Sequence, residues 1–161
     1  MKKSIRPRTL SLRPIQSLRD FQCVRHIRNN CRHFMTNDTR KINVVEQAIY
    51  WLKQKVDRFT IIFLGYDECE KPIAFGVIHY DDMLAPWVTG GILRHYRGMG
   101  YGRQLFQQLC DNAHGPVNLE VWASNKPAHS LYQTLGFHEL SRRPKGTDEV
   151  IIMRAEPKQW P

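Results

Sequence analysis

Between Tyr96 and Phe106 the chain reads YRGMGYGRQLF, with glycine at every second position from 98 to 102 and an amphipathic run directly after. The apolar stretch LAPWVTGGIL just upstream reads as a strand. Strand, glycine-rich turn and helix start, in that order, constrain the fold more than any other feature. The first turn of a helix carries N–H groups without intrahelical partners, and the helix dipole favours negative charge there. Glycine lets the backbone approach a ligand where a Cβ would intrude. The turn from Arg97 to Arg103 is therefore expected to hold a phosphate or pyrophosphate. No GK[ST] follows, so it is not a Walker A loop, and GxGxG is not the dinucleotide fingerprint. The same glycines would also suit a tight turn that serves packing alone.

The rest of the chain supplies a sheet around this unit. TLSLRPI reads as a first strand and Gln16 to Asn30 as a basic helix. CRHFMTNDTRKIN reads as a loop with turn formers at its centre. Val44 to Val56 predicts a helix that buries Val45, Ala48, Ile49, Leu52 and Val56 on one face. FTIIFLGYD and PIAFGVIHYD predict an antiparallel hairpin. Gly90-Gly91 suggests a bulge or a close backbone approach in the next strand. The glycine-led helix runs to about Asn112, with Leu105, Phe106, Leu109, Cys110 and Ala113 inward. PVNLEVWA is a strand. SNKPAHSLYQTLG is a helix capped by Ser124 or Asn125, with Pro127 in its first turn and Gly136 at its end. FHEL and EVIIMRA are short closing strands. The expected fold is a single α/β domain over 1–161, with a mixed sheet of about six or seven strands and about four helices. A parallel strand pair should lie near its centre.

Composition narrows the function classes. No apolar run approaches the roughly 20 residues that span a bilayer, and no membrane association is expected. The opening residues have charge but no continuous apolar core, so mature protein is expected there and not a signal peptide. Cys23, Cys31, Cys69 and Cys110 form no CxxC pair, and the seven histidines form no HxH or HExxH. Neither zinc, another metal nor a disulfide framework is expected, and a cytoplasmic location is. Residues 1–41 hold eleven Lys and Arg against two acids, which accounts for the whole net charge of +9. Such a quarter is either a solvated face or a region that attracts an anion. No recognisable nucleic-acid reader motif accompanies it, so nucleic acid is not an expected partner.

Two motifs carry a resemblance. RGMGYG, Arg97 to Gly102, fits the R/Q-x-x-G-x-G/A signature of the GNAT superfamily of acyl-CoA-dependent N-acyltransferases. LEVWASNKPAHSLYQTLGF, Leu119 to Phe137, resembles that family's second hallmark: strand, asparagine, then a helix with a tyrosine and a Gly-Phe ending. DEVIIMRA resembles its last strand. The resemblance is strong over about 72–155, the expected acetyl-CoA-binding core, and weaker over about 1–58, the expected acceptor-side segment. Glu120 to Phe137 is also similar in wording to bacterial N-terminal-amine acetylases of ribosomal proteins. Arg94 stands where the family has a proline.

The resemblance implies acetyl-CoA as co-substrate and direct transfer of its acetyl group to a primary amine. The pyrophosphate would sit on Gly98, Met99, Gly100, Tyr101, Gly102 and Arg103, with Arg97 beside it. The pantetheine arm would pair with backbone around Ile92, with Asn125 bonding it or capping its helix. Tyr132 matches the tyrosine that protonates the departing thiolate, and Glu120 the glutamate base of the ribosomal-protein acetylases. Each has a plain alternative: Tyr132 as a core aromatic, Glu120 as a strand carboxylate held by a neighbouring arginine or by solvent. Asp81, Asp82 and His79 are reserve bases. The acceptor, a small molecule or a protein N-terminus, would meet Arg28, Arg32, His33 and Phe34, with Met35, Asp81 and a Trp51 or Trp87 wall. A net negative acceptor is expected from the basic quarter. A GNAT-shaped acyl-CoA binder without turnover is the rival function, and a homodimer is one expected assembly.

Overall fold

The computed structural model describes residues 8–54, 58–81 and 85–157, apart from the side chains of Trp51 and Gln54. The Trp51 wall, Val56 and Asp82 therefore lie outside what it describes. In chain order the elements are β1 (Ser11–Pro14), α1 (Leu18–Asn30), α2 (Val44–Gln54), β2 (Thr60–Tyr66), β3 (Pro72–His79) and β4 (Trp87–Ile92). Then come α3 (Tyr101–Ala113), β5 (Val117–Trp122), α4 (Lys126–Thr134), β6 (His138–Lys145) and β7 (Asp148–Ala155). Short 3-10 turns occupy Arg32–Phe34 and Arg94–Tyr96.

The seven strands form one sheet in the order β1-β2-β3-β4-β5-β7-β6. Every neighbouring pair is antiparallel except β4 and β5. The expected α/β architecture and its central parallel pair are both present. α1 lies on one face, burying Phe21, Val24 and Ile27 against Ile62, Leu64 and Phe75. Each such side chain contributes roughly 1.5–3 kcal/mol when fully buried. α3 lies on the other face and inserts Leu105, Phe106 and Leu109 into the larger core.

Local chemistry sets the helix ends. Ser17 Oγ accepts from the Asp20 N–H while Asp20 accepts from the Ser17 N–H, a reciprocal cap that starts α1. Asn125 caps α4, and Gly136 follows it at φ 92°, where only glycine is unstrained.

One sequence expectation resolves to its second alternative, close approach at Gly90-Gly91, and two change. β4 keeps an unbroken register with β3 from Trp87 to Ile92, so no bulge interrupts it. Its glycines instead permit close approach from both faces. A Cβ at Gly90 would fall 3.1 Å from Leu105 Cδ2 of α3, and one at Gly91 would fall 2.8 Å from Cys31 Sγ. β6 is twice the length of FHEL, because an edge strand tolerates Pro144 where no ladder donor is needed. The third is α2. Val45, Ile49 and Leu52 are exposed, and Gln47 is the side chain that turns inward. Periodicity marks a helix without stating which face has something to pack against.

Candidate active site

β4 and β5 are in register only at Trp87 and Asn118. Toward Ile92 and Trp122 they are no longer paired, and the gap is the floor of a cleft of about 1070 Å³. Gly90, Gly91 and Ile92 line it from β4, and Glu120, Val121 and Trp122 from β5. That size is at the upper end for small-molecule sites.

The glycine turn closes one end. Gly98 and Gly100 have φ of 73° and 91°, and a Cβ at either would meet nothing within 4 Å. Their glycines answer to backbone conformation and to open space. Gly102 differs: a Cβ there would lie 3.3 Å from Leu131 of α4, so it serves packing. Gly100 is the N-cap of α3, and no side chain caps that helix. The N–H groups of its first turn are thus left to whatever enters the cleft. Arg97 and Arg103 line the cleft on either side. Tyr101 does not reach it. Its side chain is buried and its hydroxyl donates to Glu68 at 2.7 Å. Met99 is exposed outside the lining.

Arg97 is also a tie. Its Nε donates to the Ile92 carbonyl at 2.9 Å, and its guanidinium lies 4.9 Å over the Phe34 ring. The Cys31 thiol donates to the same carbonyl at 3.2 Å, and burial pushes that thiol's pKa up. Leu93 N–H donates to Ile73 in β3, so strand alternation turns the Ile92 N–H and C=O toward the gap. The acceptor half of that backbone edge is already used; the donor half faces the cleft.

Tyr132 lines the cleft from α4. Its ring packs edge-on against Phe106 at 4.8 Å and lies 5.9 Å from Phe137. Burial pushes its phenol well above the usual tyrosine range, so it stays protonated at neutral pH. No side chain or carbonyl among the described residues holds its hydroxyl. Asn125 also lines the cleft, with its oxygen accepting from Ala128 N–H at 3.4 Å. Glu120 points into the cleft from β5 but is not free. Both its oxygens accept from Arg143 Nη2 of β6, at 2.9 and 3.1 Å.

The acceptor-side candidates divide. His33, Phe34 and Met35 line the cleft, together with Cys31. Arg28 does not. Its side chain is partly buried and donates to the carbonyls of Asp38 and Arg40, pinning the loop that follows α1. Arg32 and Asp81 are also outside the lining. Asp81 accepts from Trp87 Nε1 at 3.1 Å, at the end of β4 where the strands are still joined. Trp87 therefore stands away from the cleft, and His79 pairs with Thr60 beside it. Among the described residues, none of the Lys or Arg of the first quarter lines the cleft.

Several lining residues had no sequence signal. Trp122 Nε1 donates to the Met35 carbonyl at 3.1 Å, and Lys145 Nζ donates to that of Thr36. These bonds hold the loop after α1 across the gap. Lys145 ends β6 and Asp148 begins β7, on either side of the two-residue turn that holds Gly146, which is legible only as a Gly-containing hairpin turn. Cys31 meets Ile92 across 61 residues of chain, and no local pattern encodes that.

The Acetyltransferase (GNAT) family profile matches residues 21–137. The chain belongs to this family, as the two motifs led one to expect. A spermidine N-acetyltransferase from Vibrio cholerae, in complex with CoA and spermine, superposes with a TM-score of 0.81 at 19% identity, covering 93% of this chain and 96% of that one. An acetyltransferase of the GNAT family from Streptococcus pneumoniae gives 0.73 at 19% identity, covering 92% and 99%. At such identities the likeness is one of fold. An uncharacterized protein of Mycobacterium leprae (strain TN) is 38% identical over 65 residues, which cover 37% of this chain and 18% of that protein.

Proposed function

We propose that this protein transfers the acetyl group of acetyl-CoA directly to a primary amine, with both substrates bound together. One observation carries this. A single cleft holds the uncapped start of α3, flanked by Arg97 and Arg103, and the unengaged hydroxyl of Tyr132. The first can hold a pyrophosphate and the second can protonate a leaving thiolate. The open gap between β4 and β5 gives an extended arm a path from one to the other.

Three tasks remain for the chain. The thioester oxygen needs a donor as charge develops, and backbone N–H groups along β4 suit that role. The thiolate needs a proton, which Tyr132 supplies. The amine must shed one. For a lysine-like amine that costs about 4–5 kcal/mol at pH 7, and for an α-amine only about 1. Glu120, tied to Arg143, serves best as an acceptor through a water molecule. The spermine complex of the Vibrio cholerae enzyme supports a small-molecule amine here too. A net negative acceptor gains no support from the site, where Arg143 pairs with Glu120 and Lys145 shares the cleft wall with Asp148.

The test is thiol release from acetyl-CoA against a panel of polyamines, amino acids, amino sugars and peptides, with mass spectrometry of the product. Acetylated amine is the expected result. CoA binding without release for any amine would favour the binder without turnover.

A further inference from the structure

Helix α2 is inside out. Gln47 is 4% exposed, and its side-chain N–H donates to the Phe21 carbonyl at 3.2 Å. Val45, Ile49 and Leu52 are 67%, 50% and 59% exposed. At about 100° per residue these three fall within an arc of roughly 60°, on the side opposite Gln47. A single exposed leucine needs no explanation. An aligned stripe on a helix that buries a glutamine instead does.

We propose that this stripe is the contact between two copies of the chain, with their α2 helices packed antiparallel about a two-fold axis beside Ile49. Charge placement singles out a second copy. Glu46 and Lys53 are both exposed and flank the same side of the stripe, three residues before and four after Ile49, so an axis passing between positions 49 and 50 is equidistant from both. A two-fold that reverses the helix sets Glu46 of each copy opposite Lys53 of the other. A parallel two-fold would put the two flanks on opposite sides and leave both charges unmatched. Glu46 accepts the Asn43 N–H with one oxygen at 3.0 Å, so the other remains for lysine. Area agrees. The stripe and its flanks offer on the order of 500 Å² per copy and about 1,000 Å² in all, the threshold for a specific contact. At that size the contact sits at the small end of specific interfaces, where association is weak or transient. Among the described residues no part of α2 lines the cleft, so pairing leaves the cleft open.

The test is sedimentation velocity on the full chain from about 1 to 200 µM, where the average mass should rise from monomer toward dimer. Ile49→Lys should stay monomeric throughout, with unchanged circular dichroism and with thiol release within twofold of wild type. Lys53→Glu alone and Glu46→Lys alone should each dimerise at least threefold more weakly. Mixed together they should associate more tightly than either alone, because both charge pairs then match. A wild-type monomer at every concentration overturns the proposal. So does a dimer that survives Ile49→Lys, or a mixture no tighter than its components. An Ile49→Lys variant that still dimerises but loses transfer would make the stripe an acceptor surface instead.

Discussion

Gly100 gives the sharpest test of the cleft, because stability and affinity should move in opposite orders there. Its φ of 91° is left-handed and a Cβ would meet no atom within 4 Å, so substitution costs backbone strain alone. Gly100→Ala should therefore lose about 1–2 kcal/mol of stability. In a domain of this size that is a fall in Tm of roughly 2–8 °C. Gly100→Asp bears the same strain, but its carboxylate lies beside the uncapped first turn of α3. Negative charge there returns about 0.3–1 kcal/mol, so the Asp variant should melt at or above the Ala variant. CoA affinity should run the other way. The alanine methyl only crowds the turn, whereas the carboxylate opposes a pyrophosphate on the same N–H groups. We expect Gly100→Asp to bind at least tenfold more weakly than Gly100→Ala, about 1.4 kcal/mol. Scanning calorimetry and calorimetric titration with CoA, both at low salt, measure the two orders. Equal CoA affinity for two folded variants would refute the assignment of this turn to an anion.

Tyr132→Phe keeps the packing against Phe106 and Phe137 and removes only the donor. Its kcat should fall about 10²-fold or more with CoA affinity unchanged, as read by steady-state kinetics beside titration. Glu120→Gln should cost more on acceptors of high pKa than on those near 7.8, and an equal loss on both would mark Glu120 as a partner for Arg143 alone. Arg28→Ala should lose about 1–3 kcal/mol in denaturant unfolding by orphaning the loop carbonyls, whereas Arg32→Ala should stay within about 0.5. Burial and the neighbouring Glu68 push Tyr101 up to about 12, above its unfolded value near 10. Its contribution is full below pH 10 and is lost as pH rises toward 12, because the unfolded chain gives up the proton first. Tyr101→Phe should flatten that alkaline decline in Tm.

The sequence by itself determined what short-range chemistry encodes. The order strand, glycine turn, helix N-terminus placed the uncapped start of α3, which lies at one end of the cleft. Asn125, Pro127 and Gly136 bracketed α4, and with them the position of Tyr132. These features depend on residues a few positions apart, whose φ values, caps and apolar spacing leave few alternatives. Tertiary structure decided what depends on partners far along the chain. Glu120 meets Arg143 only because β5 and β6 both flank β7. Arg28 staples the Asp38 and Arg40 carbonyls because its loop folds back onto α1. Cys31 reached Ile92 because Gly91 leaves room for it. α2 shows the limit most plainly. Its spacing specified a helix and an apolar stripe, but burial needs a surface to pack against, and the packing against α1 took the Gln47 side.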